Sequence, residues 1–369
     1  MEARFASKPV PRVMGDDPMN RPMRGRGATI NPANRFEALR YELEDWCEPD
    51  AESRPIRTEF FHDDSQSIIS YNNSPDIGFD ASLNPYRGCE HGCAYCYARP
   101  THEYLGFSAG IDFESRILVK ANAAELLAAE LARPSWTPQH LALSGVTDAY
   151  QPIERKLQIT RSCLRVLAEF RNPVIVITKN HLVTRDADYL GELARVNASA
   201  VTLSITTLDP QLTRILEPRA SSPSQRLHAI TTLHEAGIPV GVNVAPIIPG
   251  INDHEIPSIT ATAAKAGAQF ASYTIVRLPL TVAPVFVAWL ENHFPDRKEK
   301  VLNRIRSMRN GKLNDPDFGA RMRGDGPMAE EIGQLFHVSC RRAGLNRART
   351  ELSTAAFRRV LPNQMELAL

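Results

Sequence analysis

Three cysteines lie close together in the segment GCEHGCAYCY, which covers residues 88–97. Cys89, Cys93 and Cys96 follow a C-x3-C-x2-C spacing in a loop that carries two glycines. Three thiolates on one short loop can each bind one iron of a [4Fe–4S] cluster and leave the fourth iron without a protein ligand. The amino and carboxylate groups of S-adenosylmethionine (SAM) can chelate such an open iron. One electron from the cluster would then cleave a carbon–sulfur bond of SAM and give a 5′-deoxyadenosyl radical.

The same cysteines allow two other interpretations. His91 could supply the fourth ligand of a structural zinc site, although its ring would have to fold back within the loop that carries Cys89 and Cys93. Cys93 and Cys96 could form a thioredoxin-like redox pair, but Cys89 would then have no role. The chain is therefore either a radical enzyme or a non-catalytic module that binds metal or nucleic acid through a structural cysteine site.

The elements that must position this loop are predicted to be repeated βα units after residue 67. Runs such as VIVI at residues 174–177 supply the apolar residues on both faces that buried parallel strands need. The predicted strands cover residues 116–120, 140–146, 173–178, 200–206, 239–245 and 270–276. The predicted helices between them cover residues 121–133, 157–170, 185–196, 222–236 and 253–266. Six units are too few for an eight-stranded barrel, so we expect an α/β fold, a partial (β/α)6 TIM-like barrel, with reactive groups beyond the C-terminal ends of the strands.

The segments before and after the predicted barrel have different compositions. Residues 1–62 are rich in Arg, Pro, Asn and Asp, which predicts a partly disordered N-terminal arm with a short helix around residues 36–46. We expect residues 63–280 to form the barrel core. Residues 281–369 are predicted to be a helical C-terminal region that could cover the open side of the barrel, with helices at residues 283–293, 296–308 and 328–343.

The overall charge excludes a general attraction to nucleic acid or to an acidic membrane. The 369 residues include 43 basic and 42 acidic side chains, a formal net charge of +1. Basic residues cluster only in the C-terminal third, where a solvated helix face and a phosphate-binding surface are both possible. The cluster consists of Arg297, Lys298, Lys300, Arg304, Arg306, Arg309, Lys312, Arg321, Arg323, Arg341 and Arg342.

The apolar pattern and the scattered cysteines bear on the compartment. No apolar run reaches the roughly 18 residues of a membrane span, and the N-terminus lacks the pattern of a secretory signal, so we expect no membrane partner and a cytoplasmic location. The chain has six cysteines, and their distribution is unlike the disulfide framework of a small secreted protein. Cys163 and Cys340 lie in helical patterns and are predicted to be buried structural thiols.

The spacing C-x3-C-x-aromatic-C resembles the signature of the radical SAM superfamily. The flanking segments ISYNNSPDIGFD (residues 69–80) and SLNPYR (residues 82–87) resemble the spore photoproduct lyase-like, or photolyase-like, branch of that superfamily. The resemblance covers roughly residues 65–280. It implies a [4Fe–4S] cluster on the three cysteines, SAM as the second cofactor, and a reducing partner of the flavodoxin or ferredoxin type. A nucleic acid substrate would agree with it.

The resemblance also implies which residues contact SAM. Lys179 looks like the family's cation for the methionine carboxylate, with an exposed strand end as the alternative. Ser144 and Ser204 would be polar contacts to SAM or ordinary strand-end hydroxyls. Tyr95 precedes the last cysteine, where the family contacts adenine, but it could instead shield the cluster from water. Arg219 would contact SAM or a substrate phosphate, or would form a salt bridge at a helix end.

This sequence departs from the family pattern at one position. Spore photoproduct lyase carries a cysteine near the end of the second strand as a hydrogen-atom donor, whereas LSGVTD at residues 143–148 has no thiol. This difference argues against repair of a thymine dimer by the same route. Tyr97 matches a tyrosine of that hydrogen-transfer route and is the candidate catalytic residue, with a packed loop tyrosine as the alternative. The predicted function is hydrogen abstraction from an unidentified substrate by a radical SAM enzyme of the lyase or oxidoreductase type.

Overall fold

The protein is described by a computed structural model that covers residues 23–36, 56–348 and 350–360. Within these ranges the strands are β1 (Glu59–His62), β2 (Ile69–Tyr71), β3 (Ala81–Leu83), β4 (Tyr86–Arg87), β5 (Arg116–Val119), β6 (Leu141–Leu143), β7 (Val174–Thr178), β8 (Ser199–Ser204), β9 (Val240–Ile247) and β10 (Phe270–Ile275). Strands β3, β6, β7, β8, β9 and β10 are parallel neighbours in that order, and β2 pairs antiparallel with β3 at the edge. Strands β1, β5 and β4 form a separate small sheet.

Helices connect the parallel strands and continue to the C-terminus. They are α1 (Ile111–Ser115), α2 (Ala123–Ala132), α3 (Glu154–Leu157), α4 (Ile159–Phe170), α5 (Ala187–Ala194), α6 (Pro210–Leu216), α7 (Pro223–Glu235), α8 (Ile256–Lys265), α9 (Val282–His293), α10 (Lys298–Ser307), α11 (Ala320–Arg323) and α12 (Pro327–Ala343). Short 3-10 helices cover Arg99–Leu105, His181–Asp186, Asp253–Glu255 and Pro295–Arg297.

Local sequence signals explain where these elements begin and end. Helix α7 begins at a capping box in which the Ser222 hydroxyl and the Gln225 side chain each accept a backbone N–H. The same helix ends before Gly237, whose φ of +75° suits a glycine. In β7, Val174 and Val176 are fully buried, as a strand between two parallel neighbours requires.

The six parallel strands confirm the predicted partial barrel, but one member of the predicted set was wrong. The predicted strand at residues 116–120 does form, as β5, yet it pairs with β1 and β4 outside the barrel. The first barrel strand is instead β3, which lies before the cysteine segment and pairs with β6. Three residues are too few to show a period in the sequence, which is why the prediction missed β3.

The C-terminal helices pack along the β9 and β10 side of the barrel. Phe336 of α12 lies with its ring centroid 4.6 Å from that of Tyr273 in β10. The indole of Trp289 in α9 donates to the carbonyl of Ile215 in α6, at 2.8 Å. Helices α9 and α10 share an apolar cluster with Cys93 and Tyr95. These helices therefore lie directly against the cysteine segment.

Five members of the basic cluster in the C-terminal third are buried or paired. Arg309 is buried rather than on the surface, and its guanidinium donates to the carbonyl of Val276 at 2.8 Å. Four further members of the cluster form ion pairs with carboxylates. These pairs are Lys298 with Glu291, Arg304 with Asp253, Arg306 with Glu299, and Arg321 with Asp76. Phosphate binding by the cluster stays a prediction, and these five residues are the ones with other partners.

Part of the predicted N-terminal arm is ordered and packed. Ala28 and Thr29 are buried, and β1 pairs in parallel with β5. Residues 23–36 and 56–62 are ordered because this polar segment finds its hydrogen bonds in tertiary contacts that composition does not show, and partial disorder within residues 1–62 stays a prediction. The short helix predicted around residues 36–46 lies outside the described residues apart from Phe36. Among the described helices, none combines the length and the apolar content that crossing a membrane requires.

Candidate metal centre

The cysteine segment follows β4 directly and is tied to two helices through its backbone. Its turns use Gly88 and Gly92, whose φ angles are +79° and +68°. The N–H of Cys89 donates to the carbonyl of Phe113 in α1, at 2.9 Å. The N–H of Ala94 donates to the carbonyl of Leu216 in α6, at 3.1 Å. These anchors from two separate parts of the chain fix the segment at both of its halves.

The three thiols are close to one another in a dry environment. Cys89 and Cys93 are buried, Cys96 is half-buried, and Cys89 and Cys96 share an apolar cluster with Phe113. Burial raises the pKa of all three thiols, and neighbouring thiolate charge raises the pKa of Cys89 further. Metal binding at these cysteines must therefore displace protons that the free thiols hold at neutral pH.

A [4Fe–4S] cluster and a single zinc ion require different spacings of their sulfur ligands. Four sulfur ligands of one zinc ion stand about 3.8 Å apart, given Zn–S bonds of about 2.3 Å in a tetrahedron. No three His, Cys, Asp or Glu side chains in the described residues lie close enough to hold one ion. In a cubane each thiolate binds a different iron, so the sulfurs are spread more widely.

His91 is engaged elsewhere and does not face the thiols as a fourth ligand would. Its Nδ1 atom lies 3.3 Å from Oδ2 of Asp148, and its Nε2 atom lies 3.2 Å from Nδ2 of Asn180. Burial opposes ionisation of Asp148, but His91 and backbone hydrogen bonds lower the pKa of its carboxyl to about 2. Both ring nitrogens therefore lie close to polar side chains, although Nδ1 has no hydrogen bond of good geometry among the described residues, and the three thiols remain the predicted ligands.

A buried ion pair beneath the segment was not predicted from the sequence. Arg99 is fully buried and donates to the carbonyl of Cys93 at 2.7 Å and to the carbonyl of Gly110 at 2.8 Å. Its guanidinium also pairs with Glu114, whose carboxylate is equally buried. Arg99 lies only three residues after the last cysteine, and this closeness was the one sequence signal that could have pointed to a role at the metal centre. Its acceptors come from other parts of the chain and leave no pattern in the sequence.

Tyr95 takes part in a second buried network. Its hydroxyl donates to Glu217 and lies 3.3 Å from Oγ1 of Thr206. Glu217 also forms an ion pair with Arg226, and both side chains are almost fully buried. Burial opposes ionisation of Glu217, but Arg226 and Lys179 lower the pKa of its carboxyl to about 2. Glu217 is therefore an anion that holds the tyrosine in place.

Lys179 lies next to this network and near the cysteines. Its ammonium lies 6.0 Å from the ring centroid of Tyr95, and its charge favours the thiolate forms of Cys93 and Cys96. Lys179 follows β7, and its N–H donates to Asp148 at 2.8 Å. No carboxylate of the described chain lies within 4.0 Å of its ammonium. Lys179 is therefore a cation at the end of a barrel strand that interacts with the charge of Glu217 without forming an ion pair among the described residues.

The two predicted serines lie where the strands end, as the sequence indicated. Ser144 follows β6 with a φ of +86°, and its hydroxyl accepts the N–H of Ala149 at 2.8 Å. Ser204 is the last residue of β8 and is buried, and its carbonyl accepts from Arg226 at 2.9 Å. The Ser144 oxygen therefore accepts a hydrogen bond within the loop that follows β6. Its hydroxyl hydrogen remains available for donation to another group.

Tyr97 and Arg219 have different surroundings from those two serines. Tyr97 is 50% exposed, and its hydroxyl donates to the carbonyl of Gly145 at 2.7 Å. The guanidinium of Arg219 pairs with Glu90 at 3.0 Å and donates to Oγ1 of Thr58 at 3.1 Å. The contact that the structure gives Arg219 is thus a salt bridge to the cysteine segment, and contact with SAM or with a phosphate stays a prediction.

Comparison with known proteins agrees with this geometry. The family model of the radical SAM superfamily matches residues 83–263. An uncharacterized protein of Mycobacterium tuberculosis is 34% identical over 254 residues, which are 68% of this chain and 74% of the relative. The chain belongs to the radical SAM superfamily. A second relative of this radical SAM protein, from Methanocaldococcus jannaschii, is 30% identical over 222 residues, which are 60% of this chain and 79% of the relative.

The fold of this radical SAM protein is similar to that of spore photoproduct lyase. A structure of that lyase complexed with dinucleoside spore photoproduct aligns with a TM-score of 0.55 at 16% identity, over 78% of this chain and 80% of the lyase. At this identity the comparison shows the shared partial barrel. The cofactors of radical SAM proteins are a [4Fe–4S] cluster and SAM, and the three-thiol segment fits the first of them.

Proposed function

We propose that this radical SAM protein cleaves SAM reductively and abstracts hydrogen from a substrate bound at the C-terminal ends of its barrel strands. The observation that carries the proposal is the buried segment with three thiols, whose one histidine is engaged by Asp148 and Asn180. Cys89, Cys93 and Cys96 would hold the [4Fe–4S] cluster. When bound, the cluster and SAM supply a 5′-deoxyadenosyl radical as the hydrogen-abstracting species.

The protein side chains would bind and orient SAM around this segment. Lys179 would pair with the methionine carboxylate, because no carboxylate of the described residues lies within 4.0 Å of its ammonium, which lies near Cys93 and Cys96. Ser144 and Ser204 would donate polar contacts from two strand ends. Tyr95 is held by Glu217 and would exclude water from one side of the site.

Tyr97 is the residue that we propose to return or relay a hydrogen atom. It follows the last cysteine, half of its surface is exposed, and its hydroxyl lies at the end of β6 against the Gly145 carbonyl. The neighbouring residues 143–148 contain no thiol that could serve instead. A phenolic O–H at this place would be the nearest side-chain hydrogen donor to a substrate that lies over β6.

A nucleic acid or nucleotide is the substrate class that we propose. The shared fold with spore photoproduct lyase, solved with a dinucleoside spore photoproduct, supports this class. Four members of the C-terminal basic cluster are paired with carboxylates, and we propose that recognition depends on groups at the barrel mouth. An electron donor of the flavodoxin or ferredoxin type would supply the reducing electron.

Anaerobic reconstitution with iron and sulfide tests the proposal. The expected result is a brown protein that contains about four irons per chain, the number in one cubane, and that releases 5′-deoxyadenosine from SAM when dithionite is added. Cys96→Ser should abolish both properties. Cys340→Ser, a substitution of a buried cysteine in α12, should leave both intact. A colourless protein that retains zinc and forms no 5′-deoxyadenosine would instead support a non-catalytic metal-binding or nucleic-acid-binding module.

A further inference from the structure

Arg277 is a guanidinium without an acidic partner at the mouth of the barrel. It lies two residues beyond the end of β10 and is half-buried. Its Nε atom is buried and finds no hydrogen-bond acceptor among the described residues. Its Nη1 atom donates to the thioether sulfur of Met322 at 3.1 Å, and a thioether is a weak acceptor. No carboxylate of the described chain lies within 4.0 Å of this guanidinium.

Tyr97 connects Arg277 with the cysteine segment. The guanidinium carbon of Arg277 lies 5.1 Å from the centroid of the Tyr97 ring. The hydroxyl of the same ring reaches the carbonyl of Gly145, just beyond β6. The end of the last barrel strand and the end of β6 therefore meet at the residue that follows Cys96. A group bound by Arg277 would lie at the exposed side of the proposed hydrogen donor.

Nearby charged groups leave the surroundings of Arg277 positive. Arg321 is paired with Asp76, and the pair connects the loop after β2 with α11. Arg309 donates to the backbone of residues 275 and 276, and burial together with Arg277 lowers its pKa to about 10. Burial lowers the pKa of Arg277, Tyr97 opposes this effect, and Arg321 lowers the pKa further. The carboxylates that act on these three arginines are Asp76, which is paired with Arg321, and Asp315, which acts on Arg309, so the three positive charges exceed the two negative ones among the described residues.

We infer that Arg277 binds a phosphate group of the substrate next to Tyr97. A guanidinium presents a planar fork of N–H donors that matches phosphate oxygens, and a partly desolvated arginine without a carboxylate has unused donors for such a group. A phosphate carries one or two negative charges and balances the local excess of arginines. The inference rests on the proposed function, because it takes the C-terminal ends of the strands as the substrate side.

Equilibrium binding to the reconstituted holoprotein tests the inference with three probes. The probes are thymidine 5′-monophosphate as a phosphate monoester, a fluorescent single-stranded oligonucleotide of ten thymidines as a phosphodiester, and thymidine without phosphate. The variants are Arg277→Gln, Arg277→Lys and the control Arg341→Gln, in which an exposed arginine of α12 is replaced. The iron content of each variant shows whether the barrel and the cysteine segment are intact.

We expect a phosphate probe to bind the wild type more tightly than thymidine does. Arg277→Gln should weaken that binding about tenfold or more, the scale of a lost charge-assisted hydrogen bond. Arg277→Lys should retain part of the affinity, and Arg341→Gln should remain within about twofold of the wild type. A loss confined to the oligonucleotide assigns a nucleic acid substrate, and a loss confined to the monophosphate assigns a small phosphate ester.

Two results would overturn the inference. Equal binding of thymidine and both phosphate probes to the wild type would show that no phosphate is recognised. An unchanged affinity in Arg277→Gln, with normal iron content, would show that another group recognises it. A wild type that binds phosphate probes through Arg277 but forms no 5′-deoxyadenosine would contradict the proposed function and leave this inference standing.

Discussion

Gly27 lies against Gly92 so closely that a β-carbon at residue 27 would stand 1.7 Å from the Gly92 carbonyl oxygen. The contact joins the N-terminal segment to the middle of the three-cysteine segment. The N–H groups of Gly27 and Ala28 donate to the Glu114 carboxylate at 3.0 and 2.8 Å, which fixes the approach. Residues 23–36 therefore form part of the wall of the metal centre, although they lie about sixty residues before it in the chain.

Gly27→Ala should loosen the metal centre. The added methyl group would meet backbone rather than a flexible side chain, so the N-terminal segment or the cysteine segment must move. We expect a lower iron content after reconstitution and faster loss of the cluster's visible absorbance in air. Gly78→Ala is the matched control, because nothing lies within 4 Å of a β-carbon at that residue. Equal iron retention in the two variants would contradict this role of the contact.

Glu114→Gln should destabilise the protein strongly. The substitution leaves the guanidinium of Arg99 buried without its counter-charge, which typically costs about 3–5 kcal/mol of unfolding free energy. Glu169→Gln removes a carboxylate from an exposed pair with Arg165 and should cost less than about 1 kcal/mol. Denaturant unfolding of the reconstituted proteins measures both values. Similar midpoints for the two variants would show that the buried pair contributes little.

The folding of the protein should depend on pH through His102. Burial lowers the pKa of this imidazole from 6.5 to about 3, so the folded protein keeps it neutral while the unfolded chain takes up a proton below pH 6.5. The wild type should therefore lose about 1.4 kcal/mol more unfolding free energy between pH 7.5 and 5.5 than His102→Leu does. Unfolding curves at the two pH values give this difference. Parallel losses in the two proteins would mean that His102 is protonated in the folded state.

The barrel could be predicted because its strands carry a local signal. Strand β7 was predicted at residues 173–178 and is observed at Val174–Thr178, since an unbroken β-branched run marks a strand between parallel neighbours without tertiary information. Strand β3 has three residues and no period of its own, so only its pairing with β6 defines it. The strand at residues 116–120 was predicted correctly as a strand but assigned to the wrong sheet. Its apolar, β-branched residues indicate a strand without showing which neighbours it pairs with.

The candidate site also contains some residues that the sequence predicts and others that only the folded structure reveals. The three cysteines are neighbours in sequence, so their spacing alone indicated their chemistry. Glu114 and Glu217 are ordinary acidic residues in the sequence, and their burial against Arg99 and Arg226 depends on contacts that only the folded chain makes. The same holds for Arg277, which follows a strand like many surface residues.

Lys179→Met should weaken SAM binding without removing the cluster. The ammonium forms no ion pair in the described residues, so a bound carboxylate would be its counter-charge, and loss of a charged hydrogen bond of about 1.5–3 kcal/mol corresponds to about 10–150-fold in affinity. Lys156→Met, at an exposed lysine of α3, should bind SAM like the wild type. Equilibrium dialysis of the reconstituted proteins with labelled SAM, together with iron analysis, separates the two effects. Loss of iron in Lys179→Met would assign the residue to stabilising the cysteine segment, and unchanged SAM affinity at full iron content would exclude it as the carboxylate partner.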